Sequence, residues 1–230
     1  MKDILGSAML DYYENPAQRW KLWVHYPDGT KDEMPLATYF RDWHEMPLLE
    51  QIALQECRGR VLDIGAGAGS HALFLQEKEL EVTSLDISPG AVAVMQLRGV
   101  KHPVCQDIFK LTGQRYDTLL LLMNGIGLAG SISGLKDFLA HAATLLQDNG
   151  QLLFDSSDVA YLYEDGTPRP QHYYGEIRCR YAYKQAQTDW FQWLYVDQQT
   201  LAAIAKEMGW KVRLLFEDEE AQYLVQLTKM

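Results

Sequence analysis

Cysteine, positive charge and long apolar runs are all scarce in this chain, and each scarcity removes a class of protein. Cys57, Cys105 and Cys179 are its only cysteines, far apart and in no C-x-x-C pair. That excludes a disulfide framework and a zinc ribbon, and a reducing, cytoplasmic home is expected. Lys and Arg number 21 against 31 Asp and Glu, for a net charge of -10, and no Lys/Arg run is present. This balance opposes the counterion release that dominates affinity for nucleic acid, so no nucleic-acid partner is expected. No apolar stretch has the length of a membrane span. The opening "MKDILGSAMLDYYENP" meets Asp11 and Glu14 too soon to serve as a signal peptide. His25, His44, His71, His102, His141 and His172 are scattered without ligand spacing, so no metal site is expected. Internal repeats and low-complexity linkers are also missing. A hydrophobic share of 47% over 230 residues suits one globular domain of ordinary core size, with room for an appendage.

What the chain does have is "VLDIGAGAGS" at 61–70, four strand-like residues running into glycines at 65, 67 and 69. A dinucleotide fingerprint, G-x-G-x-x-G, counted from Gly65 needs its third glycine at position 70. Position 70 is Ser70. The run Asp63-Ile64-Gly65-Ala66-Gly67-Ala68-Gly69 instead resembles the first motif of the Rossmann-like S-adenosylmethionine methyltransferases.

Strand-like and helix-like segments alternate from Arg60 to Asn149, the pattern of a parallel sheet covered on both faces. The spacing predicts strands at 60–64, at "LEVTSLD" ending on Asp86, at "HPVCQD" ending on Asp107, at "YDTLLLLMNG" and at "QLLFDSSD". Helices are predicted from Ser70, as N-cap, to Glu79, after Ser88-Pro89, and through "LKDFLAHAATLLQDNG" to a stop at Asn149-Gly150. A last helix, capped by Asp197 and ended by Gly209, precedes two strands joined by the acidic turn 217–220. The expected fold class is therefore α/β. Its sheet is mostly parallel with an antiparallel C-terminal strand, similar to the methyltransferase sheet, and the resemblance covers Gly59 to Met230 apart from one insertion.

That insertion, about 159–196, is dense in tyrosine and tryptophan. "HYYGEIRCRYAYK" and "WFQWLYV" alternate about a turn near 185–189, which predicts a β-hairpin. With an N-terminal segment at 1–54, also rich in Tyr and Trp, it is expected to cap a domain spanning 55–230. Tyr173, Tyr174 and Trp193 are the expected substrate contacts. Packing is the ordinary use of aromatics in strands, and an oligomer interface through the hairpin is the competing use.

Ligands of open parallel sheets bind beyond the carboxyl ends of the strands, where this chain has Asp63, Asp86, Asp107, Asn124 and Asp155. The resemblance implies S-adenosylmethionine as cofactor. Asp86 would then take the ribose hydroxyls, with Ile87 beside it, and Asp107 the adenine amino group, with Ile108 against the ring. Gly65, Gly67 and Gly69 would bare the backbone toward the methionine end. Asp63 would accept the turn's amides or the cofactor's ammonium, and Arg41 would anchor its carboxylate. Asn124, in "LMNGIGLAG", would lie beside the transferable methyl group as both cofactor contact and catalytic residue, with His172 as candidate base. The implied activity is methylation of a small molecule. A protein methyltransferase, a non-catalytic cofactor-binding module and an NAD-dependent oxidoreductase are the rivals.

Overall fold

Apolar runs bounded by glycine and acidic turns become strands, and stretches of helical spacing become the layers on them. The computed structural model describes residues 3–164 and 166–230. In chain order, α1 (Ile4–Glu14), β1 (Leu22–His25), β2 (Lys31–Met34) and α2 (Leu48–Glu56) precede the glycine run. They are followed by β3 (Arg60–Ile64), α3 (Ser70–Glu77), β4 (Glu81–Asp86), α4 (Pro89–Leu97), β5 (Pro103–Cys105), β6 (Tyr116–Leu121), α5 (Ile132–Leu145) and β7 (Leu146–Ser157). The remainder is β8 (Glu176–Tyr183), β9 (Ala186–Gln187), β10 (Phe191–Leu194), α6 (Gln198–Glu207), β11 (Trp210–Glu217) and β12 (Gln222–Lys229).

The larger sheet runs in the order β11-β12-β7-β6-β3-β4-β5. Pairing is parallel between β4 and β5 and between β6 and β7, whereas β12 is antiparallel to both its neighbours. The expected fold class is the observed one. In β6, Leu119, Leu120 and Leu121 are fully buried, as a strand covered on both faces requires. A second sheet, β10-β8-β1-β2 with β9 attached to β8, contains the expected hairpin. The N-terminal strand β1 joins it by pairing Leu22 with Tyr183 and His25 with Arg180.

The chain divides into two compact units. The first comprises Met1–Met46, Leu62–Leu111 and Arg178–Phe191. Its core gathers Ile4, Met9, Leu22, Leu36, Val94 and Tyr183. Here α1 lies against α4 so closely that a Cβ on Gly90 would stand 2.6 Å from the carbonyl carbon of Gly6. Asp3 fixes that crossing: its carboxylate accepts from the Gly6 N–H (2.9 Å), the Ser88 hydroxyl (2.8 Å) and the Gly90 N–H (2.8 Å). One negative charge thus serves two helix N-termini, where the backbone dipoles favour it. The second unit comprises Pro47–Val61, Thr112–Ile177 and Gln192–Met230, with Tyr116, Phe138, Phe154, Trp210 and Tyr223 buried in it.

Several local expectations are corrected. Gly69, at φ 83°, occupies the N-cap of α3, and Ser70 is the first helical residue. The Ser70 hydroxyl is engaged elsewhere, donating to the Tyr39 carbonyl. Helix α5 ends at Leu145 rather than Asn149-Gly150, because Leu146 already pairs with Tyr116 and residues 147–150 are absorbed by a register shift in β7. β5 stops at Cys105, short of Asp107, which caps the 3₁₀ turn Ile108–Lys110. The hairpin reverses just after Tyr183, with Lys184 left-handed at φ 53°, rather than near 185–189.

Candidate functional site

The candidate residues fall into two clusters, one in each unit. In the first unit β3 delivers Asp63 to the glycine turn, where Gly65, Gly67 and Gly69 have φ of 73°, 55° and 83°. Such angles favour glycine, but the three have different surroundings. A Cβ at Gly69 would meet Val100 at 2.6 Å and Met95 at 3.0 Å, so this glycine serves packing. A Cβ at Gly67 would lie 3.3 Å from the Tyr39 ring. A Cβ at Gly65 would meet no described atom within 4 Å, so the turn there faces open space.

The turn's amides are held by groups other than Asp63. Gly65 and Ala66 donate to the Leu85 carbonyl at 2.8 and 3.0 Å, and Gly67 donates to Asp86 Oδ2 at 2.9 Å. Asp63 is therefore left buried, 2% exposed, with its Oδ2 lacking a hydrogen-bond partner among the described residues. Burial pushes its carboxyl up to about 6, with His71 opposing the rise and Asp86 adding to it. His71 carried no signal in the sequence beyond its place as the second residue of the helix after the glycines. Asp86 accepts from Gly67 through one oxygen and from the Ser88 N–H (2.8 Å) through the other. Each oxygen keeps a lone pair for a further donor. Burial raises this carboxyl, against the bonds from Ser88 and Gly67.

Asp107 accepts from the Phe109 N–H at 3.0 Å. Ile87 is 71% exposed and free to meet a ligand, whereas Ile108 is buried. The exposed apolar side chain next to it is Phe109, which the sequence reading missed. Arg41 is half-buried at the end of the 3₁₀ turn Leu36–Phe40. Tyr39, two residues earlier, is the more intimate neighbour of the glycines. Its carbonyl accepts from Ser70, its hydroxyl donates to Met34 Sδ at 2.9 Å, and burial with the nearby Asp86 charge raises its pKa. Arg98 braces the same turn by donating to the Ala68 carbonyl (2.7 Å) and the Ser70 hydroxyl (3.0 Å).

In the second unit the chain leaves β6 through Met123 and Asn124, both left-handed at φ 60° and 53°. The Asn124 N–H donates to both oxygens of Asp155, at 3.0 and 2.9 Å, and Gln222 donates to the same carboxylate at 3.1 Å. The Asn124 side chain donates to the Leu194 carbonyl (3.2 Å) and accepts from the Ser156 hydroxyl (3.0 Å), which in turn accepts from the Val196 N–H (3.0 Å). Asn124 thus fastens β7 to the chain leaving β10, and its amide keeps one N–H and one lone pair for a ligand. Replacing it with glycine retains the backbone conformation and strands the buried Leu194 and Ser156 groups. A stability loss of about 1–3 kcal/mol is expected, measured by urea unfolding.

Trp193 packs against the turn after Asn124, where a Cβ on Gly127 would lie 2.1 Å from the indole Nε1. Tyr173 donates to Asp197 (2.6 Å) and Tyr174 to Asp158 (2.7 Å). His172 is exposed and, with Lys136, Tyr173, Glu176 and Thr200, lines an open depression of about 700 Å³. Among the described residues no group of three or more His, Cys, Asp or Glu could hold a metal ion, and no helix is long and apolar enough to cross a membrane.

Residues 37–215 match the family described as "Methyltransferase domain". The crystal structure of an S-adenosylmethionine-dependent methyltransferase from Bacteroides fragilis in complex with S-adenosyl-L-homocysteine is similar at 42% identity. The TM-score is 0.91, covering 99% of this chain and 95% of that one. CalS10, an amino pentose methyltransferase from Micromonospora echinaspora solved with S-adenosylmethionine, is 15% identical over 80% of this chain and 89% of that one. With a TM-score of 0.53 it shares the fold. YqeM of Bacillus subtilis, which carries a methyltransferase name, is 26% identical over 119 residues. The match spans 48% of each protein, about half the length of this curated relative.

Proposed function

The chain belongs to the methyltransferase-domain family, and from that premise we propose that it transfers the methyl group of S-adenosylmethionine to a nucleophilic atom of a small molecule. The observation that carries the reading is the left-handed glycine turn whose first glycine faces open space, beside a buried Asp63 oxygen that has no hydrogen-bond partner among the described residues. A bare turn admits a ligand against backbone, and an uncompensated buried carboxylate oxygen is the fitting partner for an ammonium. These residues therefore suit the cofactor's methionine end. Asp86 would hold the ribose hydroxyls, Asp107 the adenine amino group with Ile87 and Phe109 along the ring, and Arg41 the cofactor's carboxylate. Ile108 would support that contact from the core.

When bound, the sulfonium supplies an electrophilic methyl group whose displacement depends chiefly on proximity and orientation. Asn124 acts in this reading as a positioning residue, fixing the path of the strand end through Leu194 and Ser156. His172 is kept as the base to test, and Tyr173, Tyr174 and Trp193 as acceptor contacts. We assign the N-terminal segment 1–54 and the insertion at 159–196 to acceptor selection, in a cytoplasmic protein that takes no nucleic acid. Dimerisation through the aromatic hairpin is the competing use of the insertion.

The test is calorimetry with S-adenosylmethionine, S-adenosylhomocysteine and NAD, followed by S-adenosylhomocysteine release on a small-molecule panel. Binding of the first two without NAD supports the reading, and tight NAD binding overturns it. Binding without turnover on any acceptor would instead favour the non-catalytic module. Gly65→Ala offers an internal check, because its Cβ would enter the open space with no described atom within 4 Å in the free protein. Cofactor affinity is expected to fall at least about tenfold while strain at φ 73° costs only about 1–2 kcal/mol of stability. Equal affinity in this variant would move the cofactor away from Gly65.

A further inference from the structure

Between β7 and β8 the chain folds tyrosines around a carboxylate that neither the cofactor cluster nor the Asn124 network uses. Asp158 directly follows β7 and is half-buried. Its Oδ1 accepts from the Tyr174 hydroxyl at 2.7 Å and from the Ala160 N–H at 2.9 Å. Its Oδ2 accepts no hydrogen bond among the described residues. The Tyr174 ring is met edge-on by Tyr163 at 6.2 Å and by the tilted Tyr173 ring at 4.7 Å, and the Tyr163 hydroxyl donates to the Tyr174 carbonyl at 3.0 Å. The second, independent observation is Arg169. Its guanidinium lies 5.0 Å from the Tyr174 ring centroid, so a cation already rests on the ring whose hydroxyl meets this carboxylate.

An aromatic face next to a carboxylate selects by charge. The ring quadrupole and the anion both attract a cation, while a neutral group of the same shape gains neither. Burial and the bond to Asp158 raise the Tyr174 phenol, which therefore stays neutral and acts as the donor to the carboxylate. Arg169 is itself exposed on a long flexible stem, so an incoming ammonium can displace it at small cost.

We propose that Asp158, Tyr163 and Tyr174 form a recognition site for a cationic nitrogen on the methyl acceptor, with Arg169 as the group it displaces. This rests on the methyltransferase reading above, and it narrows the acceptors to small molecules that carry an ammonium group.

The test uses the full chain, with and without S-adenosylhomocysteine, and two probes of nearly identical shape: choline, and its uncharged counterpart 3,3-dimethylbutan-1-ol. Followed by NMR titration, choline is expected to bind about tenfold more tightly than the alcohol. Asp158→Asn and Tyr174→Leu should each abolish that preference, and Arg169→Gln, at an exposed position, should strengthen choline binding. If either of the first two variants fails to fold, as judged by circular dichroism, the other variant and Arg169→Gln carry the test. Equal binding of the two probes, binding of neither, or a preference unchanged in a folded Asp158→Asn overturns the site. S-adenosylhomocysteine binding without choline preference removes this site alone. Choline preference without S-adenosylhomocysteine binding removes the acceptor role together with the methyltransferase reading.

Discussion

Asp86→Ala is expected to weaken S-adenosylhomocysteine binding by about thirtyfold to a thousandfold, the equivalent of about 2–4 kcal/mol for two charge-assisted hydrogen bonds. The carboxylate stands where two demands meet. It accepts from the Gly67 N–H and so fixes the glycine turn, and it accepts from the Ser88 N–H and so fixes the entry to α4. Part of the loss will therefore come from a loosened turn rather than from the ribose. A 2′,3′-dideoxy analogue separates the two contributions, because a direct contact makes the wild type prefer the intact ribose and makes Asp86→Ala indifferent. Unchanged affinity in the variant would remove Asp86 from the site, and an unchanged ribose preference would confine it to bracing the turn.

Stability is expected to fall as pH rises from about 4 to about 6 and then to level off, with Asp155 a principal cause. Burial pushes the Asp155 carboxyl up to about 6 from 3.8, against the bonds donated by Asn124 and Gln222, and Glu50 adds to the rise. A raised carboxyl pKa means that the folded protein binds its proton more readily than the unfolded chain does. The stabilising contribution is therefore complete below the unfolded value and lost as pH climbs through the folded one. Over a rise of about two units the loss amounts to about 3 kcal/mol. Asp63, raised to about 6 as well, acts in the same direction. Urea midpoints of the wild type should decline between pH 4.5 and 6.5, and Asp155→Asn should flatten that decline while keeping an acceptor for Asn124. Parallel pH profiles for the two proteins would show that Asp155 is not the group responsible.

The grouping of residues about the glycine turn was legible because its signals are local. Asp63, the three glycines and Asp86 stand at strand ends that periodicity alone locates, and the structure places them around one turn. Roles that depend on distant partners could not be read this way. Ser70 has the composition of a cap, but Gly69 already supplies the geometry and Tyr39 claims the Ser70 hydroxyl. Asn124 has the position of a ligand contact, yet Leu194 and Ser156 engage its amide, and both lie far along the chain. Tyr39 and Asp3 were missed for the same reason. Each sits in a short N-terminal stretch whose packing surface is made by residues 60–100. A cap signal was nonetheless present in the aspartate that precedes the apolar run "ILGSAML".

The pairing of β1 with β8 also bears on how the molecule is made. Leu22 leaves the ribosome early, and the residue it must pair with, Tyr183, leaves it late. Until then β1 has only β2 to pair with in this sheet, and a two-stranded hairpin is marginal in water without a third strand or a packed face. Contacts so distant in sequence are slow to form, and a waiting strand edge is open to wrong partners. Ribosome-bound chains halted before residue 176 should therefore leave 22–34 open to protease and to chaperones while local elements such as α3 and α4 are already formed. Of the two partners, the strand synthesised earlier must wait for the later one to be secured.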